Sequence, residues 1–152
     1  MAMEVIQKIL ELDGEALEAY VTDRLVELET NCDDIFGEMV EVGARAVHQN
    51  VLKNMKSAFK NTAPLEKGLK VTKVYRTASD DGVNVHIGFY GYDGDKITNA
   101  HPKGVPIPLM AMAREYGTSS GERKKPFFRK SFKKKEIESA MEQVQGKYIK
   151  GE

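Results

Sequence analysis

Catalysis and metal binding need side chains that can move a proton, hold a metal or attack an electrophile, and this 152-residue chain has few placed to do so. Its three histidines, His48, His86 and His101, lie far apart in sequence. None makes the i, i+4 pair that sets two imidazoles on one helix face around a metal. The single cysteine, Cys32, is expected near a helix start, where a thiolate is favoured, but no histidine is near it in sequence to act as base. The stretch "GFYGYDGD" is glycine-rich, yet it matches neither G-x-G-x-x-G nor a P-loop, which needs a Lys-Ser/Thr pair opening a helix. Asp93 and Asp95 sit where a cation could touch both, but the EF-hand pattern fails at the next ligand positions. With no base–nucleophile pair, metal set or phosphate loop, the expectation is a protein that is not an enzyme and uses no cofactor or metal.

The densest chemical signal is basic. Arg123, Lys124, Lys125, Arg129, Lys130, Lys133, Lys134 and Lys135 flank Phe127 and Phe128 within "GERKKPFFRKSFKKK". Basic residues interleaved with aromatics can grip single-stranded nucleic acid, and basic charge alone binds phosphates without reading sequence. The same run reads equally as a solvated helix face over phenylalanines that belong to the core, and no nucleic-acid motif accompanies it.

The elements that must position these residues follow from periodicity. "DGEALEAYVTDRLVEL" places Leu17, Tyr20/Val21, Leu25 and Leu28 at helical steps behind an N-cap at Asp13. Residues 3 to 12 fit either a helical turn or a short strand. A second helix is expected from a cap at Thr30 or Asn31, with Phe36, Val40, Ala44, Val47, Val51, Met55 and Phe59 as one apolar stripe. Its other face carries Asp34, Glu38 and Glu41 early and Lys53, Lys56 and Lys60 late, in accord with the helix dipole. "VTKVYRT" and the alternating Val83, Val85, Ile87 and Phe89 read as two strands joined by a turn at Ser79-Asp80-Asp81-Gly82. Residues 91–106, rich in glycine and proline, read as a long irregular connection of the kind that carries function. "LMAMAREY" is a short helix stopped by Gly117, and Pro126 suits the first turn of a last helix. In that last segment the five-residue step from Phe132 to Ile137 breaks the helical repeat, so its two halves face different surroundings.

Length allows one domain with a core of its own. One thiol makes no internal disulfide, which fits a reducing compartment. No apolar run approaches a membrane span of ~20 residues, and the first residues lack the basic and apolar regions of a signal peptide. Formal charge is zero overall but uneven. Met1 to Val47 has twelve acids against three bases, net −9; His48 to Ser120 has six against ten, net +4; Gly121 to Glu152 has five against ten, net +5. Either these are separately solvated faces, or acidic and basic surfaces meet between copies, which suits a head-to-tail ring.

The order of elements, with three short blocks, resembles the tail-component family of long-tailed bacteriophages and prophages, the small neck, tail-completion and head–tail joining proteins. Ala63, Pro64 and Gly68 match its Ala-Pro-x-x-x-Gly-x-Leu segment, with Leu69 one position ahead of the segment's Leu and Lys67 where Thr is common. Glu115, Tyr116, Gly117 and Thr118 match its Glu-Tyr/Phe-Gly-Thr block. Pro126, Phe127, Ser131 and Phe132 match its Pro-Phe-x-x-x-Ala/Ser-Phe block. The resemblance covers roughly residues 31–145.

It implies an α+β fold, with long N-terminal helices and a C-terminal helix packed on a small antiparallel β-sheet. The expected organisation is a single domain over 1–152, with an acidic helical arm at 1–30, a tail-component-like core at 31–148 and the loop at 91–106. The implied function is structural: a ring, six-fold by resemblance, acting as tail terminator, tail-completion or neck protein. It would join tail-tube and neck proteins in a virion or phage-like particle assembled in the bacterial cytoplasm, with no membrane partner and only non-specific contact with passing DNA. Glu115, Tyr116, Gly117, Thr118, Arg123, Lys124, Lys125, Phe127, Phe128, Arg129 and Lys130 are the expected subunit or partner interface, with an ion pair from Glu115 within or between subunits. Tyr92, Asp93, Asp95, Lys96, His101 and Lys103 are expected to reach a neighbour or the lumen. The alternative is a nucleic-acid-binding protein that uses Arg123 to Lys135.

Overall fold

A computed structural model describes residues 2–11 and 13–149; position 12 and the side chains of Ala2, Val5, Lys8, Ile9, Leu28, Thr30 and Asn31 lie outside the description. The protein is α+β: five helices and six short antiparallel strands among the described residues. It divides into two compact units, Met1–Phe36 and Gly37–Glu152.

In the first unit, residues left open between helix and strand are helical, as α1 (Ala2–Leu10). Met3, Ile6 and Leu10 recur at the three- and four-residue steps that share one helix face. Asp13 then caps α2 (Gly14–Ala58), its Oδ1 accepting the Ala16 N–H at 2.9 Å. The expected break at Thr30 or Asn31 does not occur, because α2 is one helix of 45 residues. Nothing between Gly14 and Ala58 is a proline, and Thr or Asn inside a helix costs less than about 0.7 kcal/mol each. That is too little to interrupt a continuous backbone ladder. Cys32 consequently sits in mid-helix, without the N-terminal amides that would stabilise a thiolate.

In the second unit, α2 contributes Ala44, Val47, Val51 and Met55 to the core as its stripe requires. Phe36, before the boundary, is exposed, and Phe59 lies one residue past the helix end, half-buried against the core. Helix α3 (Ala63–Gly68) carries Pro64 in its first turn and leads into β1 (Leu69–Val71). Strands β2 (Tyr75–Thr77) and β3 (Gly82–Asn84) close the expected hairpin, with Asp81 at φ 54° in the turn. Strand β4 (Ile87–Phe89) returns antiparallel to β1, with Leu69 opposite Phe89 and Val71 opposite Ile87. Between the two ladders Lys73 and Val74 stand against the single Val85, so the register slips by one residue. Such a bulge interrupts the alternation of faces along "VTKVYRT".

The connection at 91–106 is more regular than its composition suggests. Strands β5 (Tyr92–Asp93) and β6 (Val105–Pro106) pair, and Thr98 bridges His101. Gly104 makes this closure possible: it sits at φ +102°, and a Cβ there would lie 2.2 Å from the Asp93 carbonyl oxygen.

Helix α4 (Ile107–Tyr116) stops at Gly117 as expected, the Gly117 N–H donating to the Ala113 carbonyl at 2.8 Å. Pro126 does not open the last helix. A short 3-10 turn, Arg129–Ser131, follows it, and α5 begins only at Lys134 and runs to Ile149. Val144 of α5 is buried and Ile137 packs on the core, while Phe132 is exposed. Phe127 and Phe128 of the first half and Ile137 of the second pack on the same core, so the two halves share a contact instead of facing different surroundings. The core joins Val47, Val51 and Met55 to Leu65, Leu69, Ile107, Met110, Ala111 and Phe127. Among the described residues no helix is long and apolar enough to cross a membrane.

Candidate assembly joint

Three stretches far apart in sequence are tied together beside this core. The Lys125 N–H donates to the Arg114 carbonyl at 3.0 Å. The Arg114 guanidinium donates to the Asn61 carbonyl at 2.7 Å and lies 5.0 Å over the Phe59 ring. The Lys125 ammonium reaches the Ala58 carbonyl at 3.4 Å. Lys125 thus reaches a carbonyl freed by the end of α2, and Arg114 one in the segment that follows it.

Glu115 is the centre of the joint. It is only 5% exposed. Its Oε2 accepts the N–H groups of Phe127 at 2.8 Å and Phe128 at 2.9 Å. Its Oε1 accepts the Arg129 N–H at 3.3 Å and the Arg129 Nε at 3.0 Å. The carboxylate thus caps the 3-10 turn, where amides have no partner within the turn. Only the 3-10 turn follows Pro126 here, and the last α-helix starts after it, at Lys134. Burial pushes the Glu115 carboxyl up, but the Phe128 and Phe127 amides and Arg129 outweigh it and hold the group below the ordinary carboxylate range.

The far side of the turn is held by residues that periodicity did not single out. Asn54 Nδ2 donates to Ser131 Oγ at 3.0 Å, and Ser131 Oγ donates to the Phe127 carbonyl at 2.6 Å. Asn50 Nδ2 donates to Glu136 Oε2 at 2.7 Å and to the Ser131 carbonyl at 3.3 Å. Ser131 is fully buried. The available signal was two asparagines four apart on α2, beside the apolar stripe, where asparagine is a poor helix former without a partner.

Phe127 is fully buried, meeting Phe59 edge-on at 5.4 Å and Phe89 at 6.0 Å. It is core, with no face free to stack on a base. Phe128 is half-buried between Phe89 and Phe132, with ring centroids at 5.7 and 5.3 Å. Gly117 has φ +80° and ψ 176°, and a Cβ there would stand 2.7 Å from the Glu122 carbonyl oxygen. Thr118 closes the following turn, its hydroxyl accepting the Glu122 N–H.

The expected interface residues therefore divide. Glu115 and Phe127 are interior, and the expected ion pair of Glu115 is with Arg129 of the same chain. Tyr116 is exposed, with the Arg129 guanidinium 5.0 Å above its ring. Lys133 and Lys134 pair with Glu136 and Glu138 of their own helix segment. Arg123, Lys124, Lys130 and Lys135 are exposed, and no acid pairs with them among the described residues. In the loop, Tyr92, Asp95, Lys96 and Lys103 are exposed and His101 is half-buried. Asp93, expected to reach outward, is instead buried, and its Oδ1 accepts the Asp95 N–H at 3.2 Å. Short Asp side chains make such local turns, which leaves this one facing inward and unable to reach a neighbour.

Beside the joint lies an open groove of about 260 Å³ between β4, α4 and residues 127–129. Ile87, Phe89, Pro108, Met112 and Phe128 form apolar wall, with Arg129 and Tyr116 alongside. No three histidine, cysteine or acidic side chains among the described residues gather where they could hold a metal. The chain matches no known protein family, no curated protein and no solved structure.

Proposed function

We propose that this chain is a non-enzymatic structural protein of a bacteriophage or prophage tail, a tail-completion, tail-terminator or neck component that works by fit as a homo-oligomeric ring. The observation that carries the reading is the Glu115 joint. The three blocks that resemble the tail-component family, 63–69, 115–118 and 126–132, belong to one packed and hydrogen-bonded structure. The buried ionisable group there is spent on holding backbone, with all its short bonds directed to amides and to Arg129. A carboxylate so saturated has little capacity left as a base. What the unit presents around the joint is apolar groove and unpaired cation, the materials of a protein interface.

The test is solution mass by light scattering, with negative-stain images of the same sample at low and moderate salt. Rings of about six 17.0 kDa chains support the reading. A second reading keeps nucleic acid as the partner, because Arg123, Lys124, Lys130 and Lys135 are exposed. Its mark is a log affinity for DNA that falls steeply with log salt. A single-chain species with that salt slope would replace the ring reading.

A further inference from the structure

The acidic unit Met1–Phe36 leaves apolar side chains in water. Met3, Ile6 and Leu10 of α1 are exposed, as are Val21 and Leu25, which stand one helical turn apart on α2. A helix face of this kind is normally covered. Its charge restricts what can cover it. Met1–Phe36 has ten acids against two bases, net −8, while Gly37–Glu152 has thirteen acids against 21 bases, net +8. Pairing two such acidic helices with each other sets like charges together, which is unfavourable. The basic unit carries the complementary features: an open apolar groove, where Arg129 is already paired with Glu115, and the exposed Lys124 and Lys130 on either side of Arg129 in sequence, with no acid partner among the described residues.

We propose that the acidic segment of one copy docks its Val21 and Leu25 face into the groove between β4, α4 and Phe128 of a second copy, giving a head-to-tail contact. Resting on the assembly reading above, this names the two surfaces that would join its subunits. A groove of about 260 Å³ takes anchor side chains, not a whole helix, as in helix-in-groove recognition, where a few residues at i and i+4 enter pockets. Opposite net charge adds attraction and orientation. Because the two surfaces differ, the contact is heterologous and repeats into a ring or a filament.

The experiment uses full-length chains and complementation between two variants. One carries Val21→Gln with Leu25→Gln; the other carries Met112→Glu, placed in the groove on a side chain that is 59% exposed. All three positions are exposed, so circular dichroism and melting temperature are expected to match the parent. The parent is expected to assemble at low salt and to weaken as salt screens the contact. Each variant alone is expected to run as a single chain of about 17.0 kDa. Mixed one to one, they are expected to double in mass, because the intact arm of one meets the intact groove of the other.

A parent that stays single, a variant that still assembles alone, or a mixture that is not rescued overturns the proposed contact. Loss with the arm variant and no rescue points to arm–arm pairing; loss with the groove variant only points to a different occupant. Rings that persist in both variants overturn this contact and leave the assembly reading standing. A single-chain parent that binds DNA with a steep salt dependence overturns both.

Discussion

Replacing Glu115 by alanine should be among the most damaging single changes in the basic unit. The carboxylate accepts the amides of Phe127 and Phe128, the first in a residue with no exposure. Leaving a buried amide unsatisfied costs about 1–3 kcal/mol, so the two together set a loss of roughly 2–6 kcal/mol. The Arg129 bonds add little, since that side chain is 58% exposed and water can replace them. Relief of burying a charge offsets part of the loss, so about 2–4 kcal/mol is expected, a large share of a domain's stability. Glu115→Gln keeps one carbonyl oxygen to accept both Phe127 and Phe128 and should lose less, about 1–2 kcal/mol.

The assay is urea unfolding at constant slope, repeated from neutral to acid pH. The carboxyl lies below its ordinary value in the folded chain. Its stabilisation is therefore complete above the unfolded-state value of about 4.3 and disappears as pH falls through the lower folded value. The parent should lose stability in that window, and Glu115→Gln should lose less there. An alanine variant within ~0.5 kcal/mol of the parent, or equal acid sensitivity in parent and glutamine variant, would refute the role assigned to the carboxylate.

Three further outcomes follow from the same geometry. Gly117→Ala places a side chain at φ +80°, ψ 176°, a region occupied almost only by glycine, against the Glu122 carbonyl; a loss of about 1–3 kcal/mol is expected in thermal unfolding. Ser131→Ala removes the hydroxyl shared by Asn54 and the Phe127 carbonyl; a loss of about 1–3 kcal/mol is expected, with Asn54→Ala not adding in full in the double variant, as a double-mutant cycle would measure. Phe127→Ala empties a core position shared with Phe59 and Phe89; about 3–5 kcal/mol is expected to be lost in urea unfolding.

Much of the framework is legible in the chain because it depends on local pattern. Asp13 caps a helix, Val47, Val51 and Met55 recur on its buried face, Gly117 ends α4, and the turn before Gly82 makes a hairpin. Each is set by neighbours within a few residues. The uneven charge is likewise a property of sequence alone. Tertiary structure decided what depends on distant partners. Thr30 and Asn31 would cap a helix if one began there, but a continuous ladder carries α2 through them. Pro126 is suited to helix N1, yet only a 3-10 turn follows it, packed against Glu115 eleven residues earlier, and the last helix starts at Lys134. Asp93 has the composition of a loop surface and folds inward on its own turn. Glu115, Asn50 and Asn54 look like solvated helix residues until the Phe127–Ser131 turn is packed against them, because a hydrogen bond across 12 to 81 residues leaves no periodic mark.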